Sequence, residues 1–192
     1  MKRRQVIGLI LLLTGILVIL WPTWTTYQKQ TATADLKQQW KKSLRTVDAK
    51  ETPAPVATAG SSLLTIPSLD FEQVILEGAS IKILDRSIGH LEKTGAPGKG
   101  NYALAGHRSF TKGLHFNQLP QLKAGADVIV TTKDHRYTYR MDTSKLVKPT
   151  DLSVLEQHVK QPMITLITCD PPETATNRLI KQGVLIKTEI LD

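Results

Sequence analysis

The chain of 192 residues holds one cysteine, Cys169, at the end of the apolar run Thr165-Leu166-Ile167-Thr168-Cys169. Asp170-Pro171-Pro172 follows, and proline, with no N–H to give to a ladder, stops a strand there. A lone cysteine is commonly no more than a small buried hydrophobe. A thiol shown where a strand gives way to a loop, however, is where a rigid scaffold displays a nucleophile. Such a nucleophile reacts as the thiolate and needs a proton partner. The histidines are His90, His107, His115, His135 and His158. His107, in Leu104-Ala105-Gly106-His107-Arg108, lies just past an apolar run, and Gly106 before it admits the close approach of another backbone or of a substrate. His90, in Ile88-Gly89-His90, has a similar setting, so position alone leaves the two in competition. Arg178 opens the next apolar run, so a hairpin from Cys169 can bring a permanently charged guanidinium beside the sulfur. A single cysteine excludes an intramolecular disulfide. Neither a metal-ligand cluster nor a phosphate-cradling loop is visible, so this chemistry calls for no cofactor.

The elements that must position these groups are short and β-rich. Residues 63–66, 74–77, 101–105, 127–132, 136–142, 145–148, 163–168 and 179–189 read as strands between turn signals. Lys133-Asp134-His135 reads as a hairpin turn, and Gly183 allows the last run to be one bent strand or two. Helical signals are few: 81–86, a turn near 116–119, and 153–158. Short strands at close spacing predict an all-β fold, a closed barrel or a sandwich.

Ahead of this domain, residues 1–62 hold nine Lys/Arg against three Asp/Glu, whereas residues 63–192 hold sixteen against fourteen. The net charge of +8 is therefore concentrated at the N-terminus, which suits a membrane surface and argues against a nucleic-acid groove. Lys2, Arg3 and Arg4 precede an apolar core from Val6 to Leu20, and Trp21, Trp24 and Tyr27 follow at the interfacial position. The run is just long enough to cross a bilayer as a helix. Residues 1–27 are thus expected to be a cytoplasmic tip and signal anchor, with the remainder outside the cell. Ala32-Thr33-Ala34 resembles a signal-peptide cleavage site but lies far beyond the apolar core. Residues 28–62 read as stalk and linker, in which Leu36, Trp40, Leu44 and Val47 form a helical stripe and 53–62 are rich in Pro, Ala and Ser. The stripe suits a helix lying on lipid or on the folded domain, or equally a solvated stalk.

The motifs together resemble those of sortases. Thr165-Leu166-Ile167-Thr168-Cys169 with Arg178 is similar to the TLxTC…R signature of that family, and Ala105-Gly106-His107-Arg108 to its histidine motif. The stretch from Ile88 to Asn101 is similar to the family's lead-in, and Leu64-Thr65-Ile66-Pro67 to its first strand. The resemblance covers about 63–190 and implies a closed β-barrel of about eight strands over 63–192. It implies Cys169 as nucleophile, His107 as acid and base, and Arg178 as the cation that orients substrate or stabilises the oxyanion. Thr168 is a candidate to assist at the substrate, with packing on the sheet as the equal alternative. The implied reaction cuts an LPxTG-like sorting motif between Thr and Gly and joins the Thr carbonyl to an amine of a cell-wall precursor. The implied partners are surface proteins that carry the motif, the amine acceptor and the lipid bilayer. Some members bind calcium; here Glu72, Glu77 and Asp134 are the carboxylates in question, without forming a clear ligand cluster. No acidic-aromatic lid motif precedes the domain, no second apolar segment follows it, and the 149–162 stretch is short. That leaves class A or class D/E, rather than the pilus-polymerising class C or class B. A papain-like peptidase would want its cysteine before its histidine, and a non-enzymatic barrel would leave the motif set unexplained.

Overall fold

The computed structural model describes residues 3–45, 62–108, 114–157 and 159–191. Among them eight strands close into a barrel: β1 Ser62–Ile66, β2 Phe71–Glu77, β3 Ile88–His90, β4 Asn101–Ala105, β5 Asp127–Thr131, β6 His135–Val147, β7 Met163–Asp170 and β8 Asn177–Ile190. Their order around the wall is β1-β2-β3-β4-β7-β8-β6-β5. The β2–β3 and β4–β7 pairs are parallel and the others antiparallel. Side chains alternate across each strand. Leu64, Leu104, Val130, Tyr139, Ile164 and Leu166 accordingly point inward, each fully buried. Each such aliphatic side chain contributes about 1.5–3 kcal/mol by leaving water.

The partition of strands differs from the sequence reading in several places, among them earlier starts for β2 and β8. The two runs read at 136–142 and 145–148 form one strand, β6, which ends at Val147 and whose register shifts between Thr138 and Tyr139 and between Met141 and Thr143. These irregularities break the two-residue alternation, so the polar Asp142-Thr143-Ser144 reads as a turn. The three-residue β3 went unread because it is too short to display a period; it is held by parallel pairing to β2. β7 continues beyond Thr168, so Cys169 lies within the ladder. The helical signals are also trimmed. They reduce to α2, Ile81–Leu84, and to single tight turns at Leu119–Gln121 and Ser153–Leu155; His158 falls outside the described residues.

An N-terminal helix, α1, runs from Arg3 to Arg45 without interruption. Its apolar half presents Ile10, Leu11, Leu12, Leu17, Leu20 and Trp21 to the outside. Among the described residues no helix is long and apolar enough to cross a membrane; the side chains of Val6 and Leu9, part of the apolar run, lie outside that description. Farther along, Leu36 and Trp40 are buried against Leu63, Val74 and Leu76 on the outer face of β1 and β2. Lys37 reaches Glu72 at 2.7 Å. These two members of the stripe therefore lie on the barrel, while the side chain of Leu44, Val47 and the linker through residue 61 fall outside the described residues.

Candidate active site

Three levels of side chains stack on the outer face of β4, β7 and β8. Ala103 lies beside Thr165 and Ala105 beside Ile167 across the parallel β4–β7 pair. Thr165 faces Gln182, Ile167 faces Ile180 and Cys169 faces Arg178 across β7–β8. Leu104, Leu166 and Leu179 belong to the interior, so by alternation all of these partners point outward. Two steps past Ala105, the same register brings His107 level with Cys169. The approach is held by Gly106 N–H donating to the Ile167 carbonyl at 3.1 Å and by Thr168 Oγ1 donating to the Gly106 carbonyl at 2.8 Å. His107, just past the end of β4, thus lies level with Cys169 on β7 and Arg178 on β8.

Cys169 is half-buried. His107 is 40% exposed, with Nε2 3.4 Å from Asp85 Oδ1. Asp85 follows α2, and its backbone N–H donates to the Ile81 carbonyl. On its other side the His107 ring stands edge-on to His115, with centroids 6.1 Å apart and planes at 86°. His115 is buried and has a left-handed backbone, φ 50°. It closes the loop after β4 by bridging to Arg108, while Phe116 N–H donates to the His107 carbonyl at 2.9 Å. Arg178 Nη1 donates to the carbonyls of Ala175 at 2.8 Å and Asn177 at 3.0 Å. Those bonds hold the guanidinium over the β7–β8 turn through Nη1.

His90 is placed elsewhere. It pairs with Leu104 across β3–β4, three residues short of His107, or roughly 10 Å at strand rise. Its Nδ1 meets Glu77 at 2.9 Å, and its Nε2 meets the Gly95 carbonyl at 2.9 Å and Thr94 Oγ1 at 3.0 Å. The competition left open by position is thereby resolved in geometry: His107, not His90, is level with the thiol. Thr168 is not brought into the outward group. It points into the barrel, 2% exposed, and its hydroxyl is engaged by Gly106. The role of Gly106 also differs from expectation. A Cβ there would sit 2.7 Å from both Ile88 Cδ1 and Phe116 Cδ2, so the missing side chain makes room for core groups, not for backbone or substrate.

The connection between β6 and β7 arches over the far end of this face. Asp151 accepts from Ser153 N–H and Oγ, and these bonds hold its carboxyl below the usual carboxylate range. Asn101, 1% exposed, donates to the carbonyls of Val154 and Glu156 at 2.9 and 3.2 Å and accepts from Thr165 Oγ1 at 2.6 Å. Gln182 Nε2 also reaches the Val154 carbonyl, at 3.3 Å. Between this pinned loop and the Cys169 level lie Ala105 and Ile167, both partly exposed, and Ile180, which is covered. Sequence reasoning passed over Asn101 and Gln182; a polar residue opening an apolar strand was the available signal. The carboxylates considered for calcium are dispersed: Glu72 is held by Lys37, Glu77 by His90, and Asp134 lies at the β5–β6 turn. Among the described residues no three His, Cys, Asp or Glu gather as a metal site.

A family model for the sortase domain matches residues 64–186, well over half of the chain. The chain belongs to the sortase family. It is 33% identical to Sortase SrtE1 of Streptomyces coelicolor over 95% of its own length and 57% of that protein's. It is also 33% identical to Sortase A of Listeria monocytogenes, over 70% of this chain and 60% of that one. The chain thus spans less than two thirds of these two relatives. Sortase A of Bacillus anthracis matches at 30% identity over 96% of this chain and 95% of its own. Among solved structures, Listeria monocytogenes sortase A superimposes with a TM-score of 0.65 at 30% identity, covering 70% of this chain and 92% of that chain. Sortase E1 from Streptomyces coelicolor, with a tripeptide in its active site, gives 0.63 at 35%, covering 71% and 94%. The fold is therefore the sortase barrel and the family one of transpeptidases, with similarity to members named A, D and E.

Proposed function

We propose that this chain is a cysteine transpeptidase that cuts an LPxTG-like sorting motif between Thr and Gly and transfers the Thr carbonyl to an amine of a cell-wall precursor. The carrying observation is the shared level of His107, Cys169 and Arg178 on the outer face of β4, β7 and β8. The sorting peptide lies extended over the partly exposed Ala105 and Ile167, beside the β6–β7 loop. The Cys169 thiolate attacks the Thr carbonyl carbon, and a C–S bond forms. Arg178 donates directed hydrogen bonds to the oxygen that gains charge. His107 gives its proton to the glycine nitrogen as the C–N bond breaks, leaving a thioester. His107 then takes the proton of the incoming amine as the new C–N bond forms and the thiolate departs. No metal or organic cofactor enters this sequence. Thr168 serves through the backbone, by tying β7 to Gly106.

We also propose that α1 anchors the enzyme in the membrane with its N-terminus in the cytoplasm and the barrel outside a Gram-positive-type cell. Supporting this are the Lys2, Arg3 and Arg4 flank and the exposure of Leu11 to Trp21 around the helix. The subclass is A or D/E.

The test is to offer the chain, in detergent, a library of sorting peptides with amine acceptors and to detect cleaved and transferred products by mass. Wild type should give both products. Cys169→Ala should give neither while keeping its melting temperature; transfer by that variant would refute the mechanism.

A further inference from the structure

The residues that follow His107 and Cys169 are themselves joined. Arg108 Nη1 pairs with Asp170 Oδ1, and the two side chains are only 20% and 26% exposed. The β4–β7 ladder proper ends at Ala105 and Ile167. Beyond it, Gly106 and Thr168 are tied through the threonine hydroxyl, and Arg108 and Asp170 through this ion pair. His107 and Cys169 lie between the two ties. Alternation sends the ion pair to the opposite side of its strands from the reacting groups, so it braces them from behind.

We propose that Arg108 and Asp170 are positioning residues: their ion pair holds the end of β4 against β7 and thereby sets the reach of His107 to Cys169. This rests on the reading of His107 and Cys169 as the acid–base and nucleophile. The physical need is specific. After Gly106 the chain leaves the ladder for the loop closed by Arg108 and His115, and the His107 backbone has no further β7 partner in the ladder. A charge-assisted bond that is partly shielded from water is stronger and better directed than a neutral one. Proton transfer is steep in distance, so a displacement of about 1 Å can cost up to about 10²-fold in rate.

The experiment is a double-mutant cycle on the detergent-solubilised chain with Arg108→Gln, Asp170→Asn and both together, and with Arg108→Lys as the conservative variant. Two readouts are taken: kcat and KM for a sorting peptide, and the rate of Cys169 alkylation by iodoacetamide, which needs no sorting peptide. Melting temperatures and the titratable Cys169 fraction correct for misfolding. Each single variant should lower kcat on the order of tenfold with KM within about twofold. The double variant should be no worse than either single, since the second change removes a bond already lost, and Arg108→Lys should recover most of the rate. Wild-type rates in the singles, losses that multiply, a change confined to KM, or a loss matched by the unfolded fraction would each overturn the proposal. His107→Ala in the alkylation series separates the two levels of inference. If it slows alkylation while the pair variants do not, the brace alone fails; if it leaves alkylation unchanged, the reading of the site fails and takes the brace with it.

Discussion

His90 ends β3 and His107 lies two residues past the end of the neighbouring β4, each preceded by glycine, yet they occupy opposite kinds of environment. His90 has both ring nitrogens engaged, by Glu77 on one side and by Gly95 and Thr94 on the other. Its ring also lies against Tyr102, with centroids 4.7 Å apart. His107 is 40% exposed, with one carboxylate at the long distance of 3.4 Å and a neighbouring histidine edge-on. The first histidine binds the lead-in loop to the wall. The second is held by its backbone and leaves its imidazole to solvent and to the thiol level. A group whose hydrogen bonds are all made serves stability, and one left partly unmade in a cleft is available for proton transfer.

The sharpest way to break this comparison is to remove each ring. His107→Ala should lower kcat/KM on the order of 10³-fold, within the range for a lost general acid and base, with little change in melting temperature. His90→Ala should keep activity within a few fold. Steady-state kinetics with thermal melts on both variants decide the matter, and a larger kinetic loss for His90→Ala would invert the assignment. Next in size is Arg178. If it acts by directed bonds, Arg178→Lys should cost on the order of 10²-fold in kcat/KM, as for one lost oxyanion donor. A lysine variant near wild-type rate would reduce Arg178 to a source of charge.

The remaining expectations concern stability on the His90 side. Glu77 is 72% exposed and stays hydrated without its partner, but His90→Ala also leaves the part-buried Gly95 carbonyl and Thr94 hydroxyl unmet and should cost about 1 kcal/mol, read from urea unfolding; an unchanged midpoint would remove His90 from the framework. The smallest effect is one of pH. Burial pushes Tyr139 up to about 12 from its ordinary 10.0, and its hydroxyl oxygen accepts from Gly98 N–H at 2.8 Å in the loop between β3 and β4. Burial raises Tyr102, beneath His90, in the same direction. Above pH 10 the unfolded chain loses these protons while the folded chain keeps them. Their stabilisation is therefore complete below about pH 10 and is lost as pH rises through about 12. Lys181 works the other way: burial lowers its pKa from 10.5, so its contribution to stability grows with pH only up to that value. Denaturant midpoints should fall above about pH 10.5, where the Lys181 contribution has levelled off, and Tyr139→Phe should flatten the fall; an unaltered slope would show that Tyr139 titrates alike in both states.

Much of the site could be read from the chain because its parts are local. The strand that carries Cys169, the glycine before His107 and the turn before Arg178 are all properties of a few consecutive residues, as are the barrel-forming strand spacing and the apolar N-terminal run. What sequence could not decide is whatever depends on register between distant segments. Ala105 aligns with Ile167, and that pairing alone puts His107 rather than His90 beside the thiol. The same pairing turns Thr168 inward and joins Arg108 to Asp170 across 62 residues. Shifting a strand by one residue would send every side chain to the other face, and no local pattern specifies which partner a strand will meet. Docking of Leu36 and Trp40 on β1 and β2 was likewise ambiguous in one dimension, since an apolar stripe shows that a helix face will be covered but not what covers it. Local sequence determined the kinds of groups and the elements that carry them; burial of one continuous core selected the register, and the register assembled the site.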